Sequence, residues 1–250
     1  CEFNLAGTEN GRTSAGQTTD QFIYLDGNKI EVVNLGHSLQ TIGKHGFAIG
    51  KETYGKDLRS MFIPSPGMVF VEMDLSQAEA RVDAVLSGNF DILSIFDGPV
   101  GIHRLTGSWA YGCEPGEIKK NVLIEGIDRY HVAKQIRHSG ERNIQAKTLR
   151  VKFLPQLTLN ECTRLLKVFH AKQPEIKEVF HKEIRAALDA PTHCLVAPNG
   201  RRRDFFDRIS KSTYNEGISF LPQGMVSDQV KFKGILPTSA ETKDWSWLLT

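Results

Sequence analysis

The stretch that most constrains the fold of this chain is MVFVEMDLSQAEARVDAVL, residues 68–86. Its first part, residues 68–73, is a mainly apolar run after a Pro-Gly turn signal and predicts a short strand. Its second part, residues 76–86, has apolar side chains at helical spacing and predicts an amphipathic helix. A strand that leads directly into a helix indicates a fold that mixes the two, with one carboxylate, Asp74, at the junction.

The acidic residues at this junction have different explanations. Glu79 follows Ser76 by three residues, the spacing of a capping box in which the two side chains satisfy backbone amides of the first helical turn. Asp74 precedes the predicted cap, and a carboxylate beside the Leu75 carbonyl is a suitable ligand set for a hard cation such as Mg²⁺. From the residues alone, a metal site is one interpretation of Asp74 among others.

The composition is that of a soluble globular protein, with 40% hydrophobic and 24% charged residues. There is no run of about 18 apolar residues, and the N-terminus lacks a signal-peptide pattern, so we expect a cytoplasmic protein without a membrane span. Because no two cysteines have a CxxC spacing, neither a zinc knuckle nor a disulfide framework is indicated. We therefore predict reduced thiols at Cys1, Cys113, Cys162 and Cys194.

Residues 129–152 carry a stripe of basic side chains with one acid, Glu141. Such a stripe is either the solvated face of a helix or a surface that binds phosphates. Its seven basic residues are Arg129, Lys134, Arg137, Arg142, Lys147, Arg150 and Lys152.

Turn and breaker residues divide the rest of the chain. Residues 1–50 are rich in Gly, Thr, Ser and Asn and predict loops and short hairpins. Residues 159–190 predict two helices separated by a break at Pro174. The segment CLVAPNGRRRDF predicts a hairpin with a type I′ turn at Asn199 and Gly200.

The junction resembles the first catalytic motif of family A DNA polymerases, the DNA polymerase I group. The family pattern is an aspartate followed by x-Ser-Gln-x-Glu-x-Arg, and it is matched here by Asp74, Ser76, Gln77, Glu79 and Arg81. The resemblance implies an α/β (α+β) fold, a palm with an antiparallel sheet plus a mostly helical fingers subdomain. It divides the chain into palm at 1–90, fingers at 91–198 and a second, incomplete part of the palm at 199–250.

Five other segments resemble the family in the family's order. They are GTENGRTS (7–14), LGHSLQTI (35–42), GIHRLTGSWAYG (101–112), APNGRRRDF (197–205) and SFLPQGMVSDQVK (219–231). The resemblance implies that His103 lies near the incoming triphosphate. It also implies contacts to primer–template DNA from Arg12, Ser14, Gln40, Arg81, Asn215 and Gln223, with Asn215 replacing the arginine usual eight residues before Gln223.

The basic stripe lies where the family has its fingers helix, in YHVAKQIRHSGERNIQAK, residues 130–147. Lys134, His138 and Arg142 are four residues apart, so on a helix they share one face, which we expect to meet the nucleotide. The resemblance implies that Lys134 neutralises the triphosphate and protonates the leaving pyrophosphate. Three positions depart from the usual residues: Tyr130 replaces an arginine, His138 an aromatic residue, as in phage-like members, and Arg142 a tyrosine.

The resemblance implies further roles for the junction. Gln77 and Glu79 contact the nucleotide, with Glu79 beneath the sugar C2′, and Asp74 with the Leu75 carbonyl binds Mg²⁺. Two-metal phosphoryl transfer needs a second carboxylate, which relatives supply from a His-Asp strand, yet no histidine follows His193. We therefore expect that strand on a missing C-terminal segment or a second polypeptide, and no activity from this chain alone.

The sequence thus predicts an incomplete DNA-directed DNA polymerase, a nucleotidyltransferase whose substrates are primer–template DNA and deoxynucleoside triphosphates. The alternative is a degenerate module that binds primer–template DNA without catalysis. A third interpretation is an unrelated nucleic-acid-binding protein whose basic stripe only mimics a fingers helix.

Overall fold

The computed structural model describes residues 62–64, 66–70 and 74–237, and before them the backbone of six short strands. These strands are Phe3–Asn4 (β1), Ser14–Ala15 (β2), Gln21–Leu25 (β3), Asn28–Val32 (β4), Phe47–Ile49 (β5) and Glu52–Tyr54 (β6). They form three antiparallel pairs, β1 with β2, β3 with β4, and β5 with β6, in line with the short hairpins predicted for this region.

The elements that follow are mostly helical. The helices are Ala78–Leu86 (α1), Leu93–Asp97 (α2), Ile102–Tyr111 (α3), Arg129–Glu141 (α4), Ala146–Lys152 (α5), Leu159–Lys172 (α6), Lys182–Asp189 (α7) and Lys211–Gln229 (α8). A 3₁₀ turn at Pro115–Glu117 and π-helical segments at Ile176–His181 and Val230–Ile235 accompany them. Leu123–Ile124 (β7) pairs with Ile127–Asp128 (β8), and Cys194–Val196 (β9) with Arg202–Asp204 (β10), both antiparallel. The predicted mixture of helices and antiparallel strands is confirmed.

The chain divides into two compact units. One comprises residues 1–75 and 227–250, and the other comprises residues 76–226. The division of the chain into palm and fingers at residues 90 and 198 stays a prediction.

The helix predicted at residues 76–86 is present, but the capping box is wrong. The helix begins at Ala78, after Gln77 in the left-handed conformation with φ 53°, and no side chain caps it. Glu79 instead forms an ion pair with Arg142, so its carboxylate is drawn away from the backbone amides. Residues 68–70 form no strand, and residues 71–73 lie outside the described residues.

A first core lies among α3, α4, α5 and α6. Its buried side chains include Val132 and Ile136 of α4, Leu149 of α5, and Leu165 and Phe169 of α6. The apolar positions of α6 recur at helical spacing, as the sequence predicts, and Thr158 and Glu161 form a capping box at its start. These contacts fix α4, the helix that carries the first part of the basic stripe, against α6.

A second core joins α7, α8 and the β9–β10 hairpin. Ile184 and Leu188 of α7 pack with Leu195 of β9 and with Ile218 and Phe220 of α8. The predicted break at Pro174 is confirmed, because α6 ends at residue 172 and the next helical segment begins at residue 176.

The predicted hairpin at residues 194–205 is confirmed, but its turn type is wrong. The Gly200 amide donates to the Ala197 carbonyl and the Ala197 amide to the Arg201 carbonyl, each over 2.8 Å. Gly200 has φ 87°, whereas Asn199 does not adopt a positive φ. Pro198 explains the difference, since its ring fixes φ near about −65° and favours the first central position of a type I turn.

Two further expectations apply to the described part of the chain. Cys113, Cys162 and Cys194 are free thiols, as predicted, and Cys1 lies outside the described residues. Within the same residues, each helix is too short or too polar to span a lipid bilayer.

Candidate nucleotide-binding site

Asp74 and Leu75 lie just before α1, and both are exposed to solvent. A Mg²⁺ ion is usually held by one or two carboxylates together with waters and substrate phosphates. An exposed carboxylate beside a backbone carbonyl fits that requirement for one ion. Elsewhere in residues 74–237 no group of three or more His, Cys, Asp or Glu side chains could hold a metal ion, so the described residues supply no preformed cage.

The helix α4 exposes two residues of the basic stripe one turn apart. Its start is fixed by Asp128, whose side chain accepts a hydrogen bond from the His131 amide at 2.9 Å. Lys134 and His138 follow on the surface of the helix, and both residues are exposed. Partial desolvation by the surrounding protein lowers the pKa of His138, and the Arg142 charge lowers it further against the opposing charges of Glu141 and Glu79. The face therefore carries the Lys134 side chain beside an imidazole that is neutral at neutral pH.

His103 of α3 contacts α4 at its first turn. Its ring meets the Tyr130 ring edge-on, with 5.7 Å between the centroids. Burial lowers the pKa of His103 to about 4, and the charges of Arg137 and Lys134 act in the same direction. The imidazole is neutral at pH 7, so it has one N–H to donate to a phosphate rather than a positive charge.

Arg137 belongs to the same stripe but is buried. Its guanidinium donates to Thr106 Oγ1 at 2.9 Å, to Glu141 Oε1 at 2.9 Å and to Gln173 Oε1 at 2.8 Å. These bonds tie α4 to α3 and to the end of α6. Arg137 is therefore a core residue, and the stripe is not a uniform solvated face.

Arg142 does not share the face of Lys134 and His138, and this expectation is wrong. It follows the last residue of α4, and its side chain turns inward toward α1. There Nη1 donates to both oxygens of Asp83, at 3.0 and 2.9 Å, and Nη2 donates to Glu79 Oε2 at 2.8 Å. The physical reason is that two carboxylates one turn apart on α1 attract the guanidinium more strongly than water does.

The charged groups of this cluster shift one another's pKa values. Burial raises the pKa of Asp83 to about 8, against the opposing effect of the Arg142 charge. Burial alone would lower the pKa of Arg142, but the charges of Asp83, Glu79 and Glu141 outweigh it and raise that pKa. Sequence reasoning missed Asp83; its signal was an acid four residues after Glu79 on the same helix face.

Arg81, one of the predicted DNA contacts, is engaged within the protein. It forms a bidentate ion pair with Asp97, at 2.7 and 3.1 Å, and donates from Nε to the Ser76 carbonyl. Its guanidinium also lies over the Phe96 ring, 4.9 Å from the centroid. These contacts hold the start of α1 against α2.

The other predicted site residues have separate positions. Gln77 holds the strained left-handed turn before α1, with its side-chain Oε1 buried and lacking a partner among the described residues. Asn215 of α8 accepts a hydrogen bond from Asn143 Nδ2 at 3.0 Å, and Gln223 is half-buried in the same helix. Arg12 and Gln40 lie outside the described residues, as does the side chain of Ser14.

The chain is similar to known DNA polymerases over most of its length. The family model described as DNA polymerase family A matches residues 2–220. The chain is 27% identical to DNA polymerase I of Aquifex aeolicus over 189 residues, and this aligned region covers 72% of this chain and 30% of that protein. It is 39% identical to DNA polymerase I of Chloroflexus aurantiacus over 92 residues, and this aligned region covers 33% of this chain and 10% of that protein.

A solved structure shows the same fold. It is the POL domain of Pol1 from M. smegmatis in complex with DNA primer-template and dNTP, with a TM-score of 0.62 and 17% sequence identity. The match covers 94% of this chain and 39% of that chain. The chain therefore spans well under two thirds of the length of each of these relatives.

Proposed function

The chain belongs to DNA polymerase family A, and from this membership we propose that it provides palm and fingers parts of a DNA-directed DNA polymerase. The reaction is template-directed addition of deoxynucleotides to a primer 3′ end. The observation that carries the proposal is the exposed Lys134 and His138 face of α4, with neutral His103 packed beside the first turn of that helix.

Lys134 is the proposed general acid of this site. Its ammonium group neutralises the triphosphate and donates a proton to the leaving pyrophosphate, while His103 and His138 donate hydrogen bonds as neutral rings. Preorganised donors of this kind stabilise the charge that develops on the phosphates in the transition state. Gln77 and Glu79 complete the proposed nucleotide contacts from the start of α1.

Asp74 and the Leu75 carbonyl would hold one Mg²⁺. When bound, the ion supplies positive charge that activates the primer hydroxyl and stabilises the transferred phosphoryl group. Because the sequence has no histidine after His193, we propose that the second carboxylate comes from a His-Asp strand outside these 250 residues, on the same or a second polypeptide.

Primer–template DNA is the proposed macromolecular partner. Arg12, Ser14, Gln40, Arg81, Asn215 and Gln223 are the proposed contacts. Arg81 would have to exchange its ion pair with Asp97 for a contact to DNA, so Asp97 is a competitor for the same guanidinium.

One observation favours a second candidate, a module that binds primer–template DNA without catalysis. Arg142 stands where the family has a tyrosine, and its guanidinium is occupied by Asp83 and Glu79 rather than facing outward from α4. A fingers face with Tyr130 and His138 as its remaining aromatic groups offers less stacking surface to a base. The intact Asp74 and Lys134 count against this candidate.

The test is template-directed nucleotide binding that needs no bond formation. The chain is titrated with dATP in the presence of Mg²⁺ and a fluorescent primer–template whose primer ends in a dideoxynucleotide and whose next template base is thymine. We expect dATP to bind more tightly than dGTP, and Lys134→Ala to weaken dATP binding. Lys172→Ala, at an exposed position of α6, is the matched control that leaves binding unchanged. Equal binding of dATP and dGTP would contradict the proposal.

A further inference from the structure

Arg142 connects α4 to α1 through two carboxylates. We infer that Arg142 is a positioning residue that holds the Glu79 carboxylate in place and thereby sets how strictly the nucleotide site excludes a ribose 2′-hydroxyl. The inference rests on the proposed function, in which Glu79 lies beneath the sugar. It extends that function by assigning a residue that fixes Glu79, namely the arginine that follows the last residue of α4.

Asp83 and Glu79, the two carboxylates that accept from Arg142, have different roles in this arrangement. Asp83 is fully buried, and both of its oxygens accept from Arg142 Nη1. Glu79 lies one turn earlier on α1 and accepts from Arg142 Nη2, while 23% of its side chain remains exposed. Asp83 thus anchors the guanidinium inside the protein, and the guanidinium holds Glu79 at the surface.

The planar guanidinium makes this arrangement possible. Its two terminal nitrogens lie in one rigid plane, so fixing Nη1 against Asp83 also fixes the direction in which Nη2 points. A lysine has a single ammonium group on a flexible chain, so fixing it against Asp83 would not orient a second donor toward Glu79. Glu79 is consequently restrained from outside its own helix, because the helix start has no side-chain cap and Gln77 leaves the backbone in a left-handed turn.

The restraint matters because Glu79 is a long side chain on the partly exposed first turn of α1. A glutamate free to change rotamer can move aside for a 2′-hydroxyl, whereas one held at 2.8 Å by a buried cation cannot do so without breaking that ion pair. Selection against the ribose then depends on Arg142, although the described contacts of Arg142 are to protein side chains.

The experiment compares binding of dATP and ATP, which differ in the 2′-hydroxyl. Each is titrated with Mg²⁺ into the chain on the same dideoxy-terminated primer–template. We expect Arg142→Lys to lower the preference for dATP by about tenfold, equivalent to about 1.4 kcal/mol. Asp83→Asn, which replaces one of the two oxygens that accept from Arg142 Nη1 with an amide group, should lower it in the same direction. A ratio of two affinities is independent of the fraction of folded protein.

A double substitution separates positioning from independent action. Glu79→Ala should remove the preference, and Arg142→Lys added to Glu79→Ala should cause no additional decrease. The matched control is Arg137→Lys, at a buried arginine of α4 that pairs with Glu141 and has no bond to Glu79. It should lower the melting temperature without changing the preference.

The outcomes distinguish this inference from the proposed function. Absence of template-directed dATP binding by the unsubstituted chain would overturn the proposed function and this inference together. Normal dATP binding with an unchanged preference in Arg142→Lys would overturn the inference alone. An additional decrease of the preference in the double variant would show that Arg142 acts apart from Glu79, which also contradicts it.

Discussion

At the scale of single residues, burial keeps three histidines neutral. It lowers the pKa of His103, His170 and His181 to about 4, from 6.5 in an unfolded chain. His181 is the most deeply buried, and its Nε2 donates to the Glu141 carbonyl at 2.8 Å while Nδ1 has no partner among the described residues. A proton added at Nδ1 would therefore have no hydrogen-bond acceptor in the part of the chain that the structure describes.

These shifts predict that acid destabilises the fold. Between pH 6.5 and about 4 the unfolded chain binds more protons at these histidines than the folded chain does, so stability falls as the pH falls. Asp83, whose pKa burial raises, acts in the opposite direction, so the effect is isolated by substitution. We expect the decrease in melting temperature between about pH 7 and about pH 5 to be smaller in His181→Gln than in the unsubstituted chain.

The control for this prediction is His131→Gln, at an exposed position near the start of α4. It should leave the pH dependence of the melting temperature unchanged. If His131→Gln and His181→Gln have equal effects, the burial of His181 is not what links stability to pH.

At the scale of elements, α4 and α6 approach closely because α4 has a glycine where they meet. A Cβ added at Gly140 would overlap the ring of Phe169. Both residues are buried, so the ring has little room to move. The closest part of this helix pair is therefore fixed by the absence of a side chain.

We predict that Gly140→Ala lowers the free energy of unfolding by about 1–3 kcal/mol, the usual cost of overpacking a core. Urea denaturation followed by circular dichroism measures the change. Gly116→Ala is the matched control, since a Cβ at that position meets no atom within 4 Å. Equal stability of the two variants would mean that α4 and α6 separate at little cost.

The basic stripe is also a property of elements, and the structure reduces it. Arg137 and Arg142 are buried in ion pairs. The exposed cations are Lys134 of α4 and three residues of α5, namely Lys147, Arg150 and Lys152. We therefore expect the phosphate-binding surface to be centred on α5 and the outer face of α4.

This surface predicts salt-dependent DNA binding. Affinity for primer–template DNA should fall as salt rises, and replacing Lys147, Arg150 and Lys152 with glutamine should reduce the log–log slope by about 0.9 for each phosphate that the variant no longer neutralises. Fluorescence anisotropy at several salt concentrations measures the slope. Lys119→Gln, exposed outside the stripe, is the control. A slope unaffected by the triple substitution would contradict the assignment of this surface.

At the scale of the whole molecule, the described residues carry one part of the expected metal chemistry. Asp74 belongs to one compact unit and Lys134 to the other. Two-metal phosphoryl transfer requires more carboxylate ligands than Asp74 alone, since a single carboxylate cannot hold two cations against their repulsion.

We predict that these 250 residues alone give no measurable primer extension with Mg²⁺ and four deoxynucleotides. Extension should appear when a polypeptide with the His-Asp strand is fused or added, and it should disappear again in Asp74→Asn, which keeps the shape and removes the charge. Gel electrophoresis of a labelled primer measures the product. Extension by the unsupplemented chain would assign the second carboxylate to Asp228, Glu241 or Asp244, and extension that survives Asp74→Asn would remove Asp74 from the site.

Sequence reasoning located the elements that follow local rules. The helix of residues 78–86, the break at Pro174 and the β9–β10 hairpin were predicted because apolar periodicity, proline and glycine act within a few residues of their own position. The turn type was missed because Pro198 restricts the backbone more strongly than the Asn-Gly pair does. The five matched residues of the first motif led to the family, which the match over residues 2–220 supports.

What only the tertiary structure decided is which partner each charged residue takes. The sequence has the capping-box spacing at Ser76 and Glu79 and again at Thr158 and Glu161, but only the second pair forms it. Glu79 forms an ion pair with Arg142, which lies 63 positions later in the chain. The same ion pair directs the Arg142 side chain away from the helix face that carries Lys134. Local spacing therefore determined where the helices are, whereas attraction between charges that are distant in sequence and desolvated by packing determined what their side chains contact.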